Sequence, residues 1–84
     1  MEILSSAHRH QISADDIRHA VDNAIGAINA PSQPDFTMLI GPDIVGRLLE
    51  IGVLTADDNE YVIHAMAARP KYLRVLERHQ GDQR

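Results

Sequence analysis

The chain has 84 residues, enough for one small domain, and its 44% apolar and 24% charged residues are typical of a globular chain rather than a disordered one. It has no cysteine, which excludes disulfides and thiolate metal sites, and too few aromatic residues for the stacked platforms of single-strand RNA binders. No apolar run is long enough to span a membrane, and the N-terminus lacks the apolar core of a signal peptide. We therefore expect a cytoplasmic protein with no membrane partner.

The net charge of −4 is unevenly distributed along the chain. Residues 1–68 hold three basic and ten acidic side chains, whereas residues 69–84 hold five basic and two acidic ones. This asymmetry points weakly to an anionic partner at the C-terminal end, although a solvated terminal helix is the simpler explanation. The acidic balance of the whole chain disfavours strong nonspecific binding to nucleic acid.

The N-terminal segment is predicted to be helical. Apolar residues at helical spacing predict a short helix from Glu2 to about His10. A second helix is predicted to begin after the N-cap Ser13, with Asp16 at the third helical position as in a capping box. Ile12 and Ile17 flank this start at the spacing of a hydrophobic staple.

The remainder is predicted to form strands and a final helix. Strands are predicted at Phe36–Ile40, Arg47–Leu54 and Tyr61–Met66, with a possible short strand before them at Ala27–Asn29. Residues 30–35 are predicted to form a loop, and residues 55–59 a hairpin loop. A final helix is predicted from Pro70 to about His79. Short loops between the strands imply an antiparallel meander. The predicted fold class is α+β, with N-terminal helices, an antiparallel sheet of three or four strands and a C-terminal helix.

Both faces of the middle predicted strand are apolar. Leu49, Ile51 and Val53 lie on one face, and Leu48 and Leu54 on the other. A strand with one face in water would alternate apolar and polar residues. We therefore expect the second face to meet the last helix or a second chain, in an oligomer or a partner complex whose contact lies at or near residues 69–78.

The basic residues of the C-terminal segment are candidates for anion binding. Arg69 and Lys71 flank Pro70, where the last strand gives way to the helix. Lys71, Arg74 and Arg78 share one stripe of that helix, which an exposed helix face explains equally well. Guanidinium groups in such positions can hold a phosphate bidentately.

Arg47 is a further candidate for phosphate binding, and an ion pair with Asp43 that anchors a turn is its structural alternative. Proton transfer could come from His64 or His79, although His64 also fits a partly buried strand position. No histidines have the spacing of a metal site, because His8 and His10 would point to different sides of a helix and His64 is isolated in sequence. We expect no metal and no cofactor.

Three segments carry a resemblance to a known family. Residues 40–51 (IGPDIVGRLLEI) are similar to an IG-x(4)-GRLL strand–turn–strand, and residues 10–16 (HQISADD) to an HG-[IV]-S-x-[ED]-[ED] motif at the start of a helix. Residues 62–69 (VIHAMAAR) stand where that family has a strand closing in I-S-A-R, and a basic helix follows. In this order they resemble the BrnT-type toxins of bacterial toxin–antitoxin systems, small members of the RelE-like ribonuclease superfamily. The match spans about residues 8–78.

The resemblance implies a compact RelE-like toxin that cleaves messenger RNA without a metal, neutralised by a DNA-binding antitoxin protein that covers its active surface. By position, His10, Arg47 and Arg69 fall on motif residues of the family. The site residues expected from the chain and the resemblance are Arg69, His64 and Lys71 for catalysis and Arg47, Arg74 and Arg78 for RNA binding. Two other classes remain open, namely a non-catalytic binding module with the same fold and a small homodimer whose apolar sheet face is buried on itself.

Overall fold

The structure is a computed structural model that describes residues 1–81, with side chains as far as residue 78. Its elements are β1 (Glu2–Ile3), a 3-10 helix (Ser5–His8), α1 (Ala14–Asp22), β2 (Gly26–Ala30), β3 (Gln33–Pro42), β4 (Leu48–Ala56), β5 (Asn59–Ala67) and α2 (Pro70–Gly81). The strands form one mixed sheet in the order β1-β5-β4-β3-β2, in which β1 pairs with β5 in parallel and the other pairs are antiparallel. The predicted α+β class is confirmed.

The start of α1 follows the sequence signals. The Ser13 hydroxyl accepts the backbone N–H of Asp16 at 3.1 Å, which satisfies one of the free N–H groups of the first turn. Ile17 and Ala20 are fully buried against the sheet. The Asp16 carboxylate accepts the backbone N–H of Ile44 in the β3–β4 turn at 3.0 Å, so the helix start and that turn hold each other in place.

The predicted first helix, Glu2 to about His10, is wrong over most of its length. Residues 2 and 3 pair with Tyr61 and Val62 as the short edge strand β1, and residues 5–8 form a single 3-10 turn. The Ser6 hydroxyl donates to the carbonyl of Ile63 at 2.8 Å. The edge of β5 offers backbone groups that need partners, and pairing with them stabilises this segment more than an isolated short helix would.

The sheet has five strands rather than the predicted three or four, because residues 2–3 add β1, and its parallel pairing with β5 makes the sheet mixed rather than antiparallel. The other strands also extend into the expected loops. The possible strand at residues 27–29 is confirmed as β2, and the predicted loop at residues 30–35 is a tight turn at Pro31 and Ser32. The predicted loop at residues 55–59 is likewise a two-residue turn. Its residues Asp57 and Asp58 have φ of 53° and 66°, the left-handed conformation of type I′ hairpins.

One face of the sheet packs against α1 and the N-terminal segment. The fully or nearly buried residues of this core are Ala7, Ile17, Ala20, Leu49, Ile51, Val53, Val62 and Ala65. Gly41 allows β3 to approach α1 closely. A Cβ at Gly41 would overlap the carbonyl oxygen of Ala20 and lie 3.1 Å from the Cα of Ala24.

The helix α2 covers part of the opposite face. Gly26, Ile40 and Glu50 are register neighbours on adjacent strands and therefore share this face, and a Cβ at Gly26 would meet the Leu76 side chain of α2. Ile40 and Glu50 are fully buried, and Met38 is 6% exposed. The last helix thus meets the second face, as one of the two sequence alternatives proposed, while a second chain at this face stays a prediction.

A bulge between β4 and β5 interrupts the strict alternation of side chains along β5. Gly52 pairs with His64, but the next residue, Val53, pairs with Val62. Val62 and Ala65 therefore both lie in the α1 core, although a regular strand would place residues three apart on opposite faces. His64 remains on the α2 face, opposite Gly52.

Gly41→Ala is expected to lower the free energy of unfolding by about 3 kcal/mol, because the added Cβ meets the rigid backbone of α1. Gly26→Ala is the matched control. Its added methyl meets the end of the flexible Leu76 side chain, so the loss is expected to stay below about 1 kcal/mol. Urea unfolding followed by circular dichroism measures both values, and equal losses would contradict a close β3–α1 contact.

Candidate active site

A buried carboxylate is the centre of a polar cluster on the α2 face. Glu50 in β4 has no solvent exposure. Its Oε2 lies 2.9 Å from Nε2 of His64 and 2.8 Å from Nη2 of Arg69, and its Oε1 accepts the backbone N–H of Arg69 at 2.9 Å. The Arg69 Nε adds bonds of 3.1 and 3.2 Å to the two carboxylate oxygens. The charge is therefore compensated bidentately by one guanidinium and further stabilised by an imidazole.

Strand register brings these three residues together. Glu50 and Gly52 lie two residues apart in β4 and therefore share its α2 face. His64 is the register partner of Gly52. Beyond the end of β5, the backbone N–H of Ala68 still bonds to the carbonyl of Leu48 at 2.9 Å. This contact carries the chain alongside β4, so that the backbone and side chain of Arg69 both reach Glu50 just before α2 begins.

The electrostatics of the cluster fix the hydrogen positions. Burial alone raises the pKa of Glu50, but the hydrogen bonds from Arg69 and His64 lower it by more than burial raises it. The pKa of Glu50 therefore lies below the ordinary value of 4.5. The hydrogen bond to Glu50 raises the pKa of Arg69. An ionised carboxylate can only accept hydrogen bonds, so Nε2 of His64 carries the hydrogen. Its Nδ1 is the nitrogen left for proton transfer.

A second imidazole lies beside the first. The ring centroids of His10 and His64 are 5.8 Å apart, with an interplanar angle of 78°. His10 is exposed on the segment that follows the 3-10 helix, where Gln11 adopts a φ of 63° before α1 begins. His64 is isolated in sequence but not in space, because the parallel pairing of β1 with β5 brings the N-terminal segment to this edge of the sheet.

Cationic groups and an aromatic ring border the two histidines. The Arg69 side chain is 42% exposed and uses Nε and Nη2 for Glu50, which leaves Nη1 and the second hydrogen of Nη2 for a ligand. Its Cζ lies 5.4 Å from the ring centroid of Tyr72, and Nζ of Lys71 lies 5.0 Å from the same centroid. The start of α2 thus presents two cations around one ring.

The structure brings the three predicted catalytic residues into one neighbourhood. Arg69 and His64 share the carboxylate of Glu50, and Lys71 joins them through the Tyr72 ring. Sequence reasoning did not single out Glu50 or Tyr72 for this site. A signal for Glu50 existed, since it is the one charged residue between positions 48 and 56, inside an otherwise apolar strand.

The predicted RNA-binding residues do not share the hydrogen bonds of the cluster. Arg74 and Arg78 are exposed on α2, and no hydrogen bond or ion pair between described side chains links them or Arg47 to Glu50. The Nε of Arg47 instead bonds to the buried carboxylate of Asp43 at 2.8 Å, the turn-anchoring ion pair that was its structural alternative. Burial raises the pKa of Asp43, but its bonds from Arg47 and Val45 outweigh this and keep the value below 3.8.

The cluster combines the groups that acid–base chemistry on an anion requires. Two imidazoles can accept and donate protons, and a guanidinium with free N–H groups can bind a phosphoryl oxygen. Among residues 1–78, whose side chains the structure describes, no three histidine, aspartate or glutamate side chains are arranged to hold a metal ion. The side chain of His79, the other candidate for proton transfer, lies outside the described residues.

Comparisons with protein-family models, with curated proteins and with solved structures found no match to this chain. None of the described helices is long and apolar enough to cross a membrane.

Acid is expected to remove the stability that Glu50 contributes. Its folded pKa lies below the ordinary 4.5, so the contribution is complete above pH 4.5 and is lost as the pH falls through the folded value. Glu50→Gln should lower the free energy of unfolding by about 3 kcal/mol at pH 7, because it leaves Arg69 without its counter-charge, and should flatten the acid dependence. Urea unfolding between pH 7 and 3 measures both effects.

The exposed Glu60→Gln is the matched control and should follow the unsubstituted protein at every pH. Asp43, whose pKa is also lowered, is intact in both glutamine variants. The difference between their acid dependences of the free energy of unfolding therefore reports on Glu50. Parallel acid curves for Glu50→Gln and the unsubstituted protein would contradict the assignment.

Proposed function

We propose that the protein is the toxin component of a bacterial type II toxin–antitoxin system and that the Glu50 cluster cleaves RNA without a metal. The observation that carries this proposal is the convergence of the three toxin-like segments. Residues 10–16 contribute His10, residues 40–51 contribute Glu50, and residues 62–69 contribute His64 and Arg69. Segments that resemble one family's motifs and are far apart in the chain thus supply a single cluster.

The proposed reaction is transfer of the phosphoryl group to the neighbouring 2′-oxygen. Nδ1 of His64 accepts the proton of the 2′-hydroxyl, and the 2′-oxygen attacks phosphorus. The bond from phosphorus to the 5′-oxygen breaks, and the imidazolium of His10 donates a proton to that leaving oxygen. The products are a 2′,3′-cyclic phosphate and a free 5′-hydroxyl. Attack and departure lie on opposite sides of phosphorus, which suits two imidazoles with centroids 5.8 Å apart.

Charged groups stabilise the transition state in this scheme. The free N–H groups of Arg69 donate to the non-bridging oxygens, where negative charge develops during attack. Lys71, whose ammonium contacts the same Tyr72 ring as Arg69, adds a second positive charge. Glu50 acts at a distance from the substrate, because it is fully buried and holds both His64 and Arg69 in fixed orientations.

An antitoxin protein is the partner expected in this proposal. The exposed Arg74 and Arg78 of α2 lie next to the cluster in sequence, in the basic part of an otherwise acidic chain. An acidic segment of the antitoxin would complement this surface and block access to Arg69, since opposite charge speeds encounter and fixes register.

A non-catalytic binding module is the second candidate. The net charge of −4 and the neutralisation of Arg69 by Glu50 favour it, because both reduce the attraction for a phosphate chain. Under this alternative, purified protein leaves messenger RNA intact in EDTA, whereas the proposed enzyme cuts it.

His64→Ala is expected to reduce the rate of RNA cleavage in EDTA by about 10²- to 10⁴-fold, the usual contribution of a general acid or base. His19→Gln is the matched control. His19 is a half-buried histidine that bonds to the carbonyl of Pro42 at 2.9 Å, outside the cluster, and its substitution should leave the rate within a factor of about two. Equal rates for both variants would remove His64 from the proposed site.

The two histidine roles are separable with a substrate whose 5′-bridging oxygen is replaced by sulfur. A thiolate leaves without protonation, so His10→Ala should recover most of its lost activity on this substrate. His64→Ala should not recover, because the 2′-hydroxyl still needs a base. Recovery of both variants, or of His64→Ala alone, would contradict the assigned roles.

A further inference from the structure

A shallow groove opens on the α2 face of the sheet, at the end away from Arg69. The groove is lined by the β2–β3 turn and the start of β3 as far as Phe36, together with Leu54 and Ile63. Its volume of about 510 Å³ lies within the range of small-molecule sites. Gln33 and Asp35 are exposed at its rim.

The groove comes close to the Glu50 cluster at Gly52, which Phe36 of the groove and His64 of the cluster both approach. A Cβ at this position would lie 3.0 Å from Cβ of His64 and 3.0 Å from Cζ of Phe36. The ring of Phe36 and the proposed base His64 therefore meet above the same point of β4. A ligand group in the groove would lie next to a phosphate held at His64 and Arg69.

The chemistry of the groove suits a flat, uncharged heterocycle. Phe36, Leu54 and Ile63 provide an apolar lining, and an aromatic ring is the surface on which nucleobases stack. The Asp35 carboxylate repels a phosphate but accepts hydrogen bonds from ring and amino N–H groups. Guanine presents two such donors on one edge, which both oxygens of a carboxylate can accept, whereas uracil presents one.

We infer that this groove binds a single nucleobase adjacent to the scissile phosphate, with Phe36 as the stacking surface and Asp35 selecting guanine. The inference rests on the proposed cleavage function and adds a base preference to it. Three aromatic residues are too few for a platform that stacks several bases. One ring beside the catalytic cluster is enough to read one base.

The test uses oligodeoxythymidines that carry one ribonucleotide, in two series. One series varies the base of the ribonucleotide, and the other varies the base that follows it. In one of the two series, kcat/KM for guanine should exceed that for uracil by about tenfold or more. Phe36→Leu should lower kcat/KM for the guanine substrate by about tenfold, and Asp35→Asn should remove the preference for guanine. Asp57→Asn, an exposed aspartate in the β4–β5 turn, is the matched control.

Binding is measured separately from cleavage. An all-deoxy oligonucleotide with guanine or an abasic site at the selected position is titrated into ¹⁵N-labelled protein. Guanine should shift the backbone amide signals of Phe36 and Gly52 more than the abasic site does, and Phe36→Leu should weaken this binding.

The outcomes distinguish the groove from the reaction. If all bases are cut alike and Phe36→Leu cleaves normally while His64→Ala does not, the groove assignment is wrong and the cleavage proposal stands. If no RNA is cut, the cleavage proposal fails, and guanine-dependent shifts at Phe36 then support the groove as a base site. Identical titrations with guanine and with the abasic site would overturn the groove assignment in either case.

Discussion

Glu50 carries a charge without access to water, and the removal of a carboxylate from water is offset only if several good hydrogen bonds replace its hydration. Arg69 supplies a bidentate guanidinium and a backbone N–H, and His64 supplies the remaining bond. No buried side-chain nitrogen or oxygen in the described part of the chain is left without a partner. The same bonds that make the buried charge tolerable orient an imidazole and a guanidinium, so the fold itself preorganises the proposed site.

The two faces of the sheet differ in composition. The α1 face is a close-packed apolar layer, in which Gly41 lets two backbones come into contact. The α2 face holds the buried charge, the histidine and the groove. The β5 bulge separates these environments, because it turns Val62 into the core and leaves His64 on the opposite side. Without the extra residue, strict alternation would place both side chains on one face.

Local signals predicted the local structure well. The Ser13 cap, the start of α2 at Pro70 and the β3–β4–β5 meander all follow from short stretches of sequence, and each is present. The strand β1 was missed, because it exists only through the edge of β5. The contact of His10 with His64 was missed for the same reason. The sequence suggested Arg69 and His64, but the carboxylate that joins them required the strand register.

The charge asymmetry of the sequence becomes a spatial one in the fold. Gly41 contacts α1, and the adjacent Ile40 shares its face with Gly26 and α2, so the two helices lie on opposite sides of the sheet. The first turn of α1 carries two acidic side chains, whereas the first turn of α2 carries Lys71, and exposed arginines follow along the helix. With roughly 10 Å per layer, the helices are separated by about 20 Å, more than the Debye length of about 8 Å at physiological salt. The acids of α1 are thus largely screened from a phosphate at α2, and the net charge of −4 understates the local attraction at the proposed site.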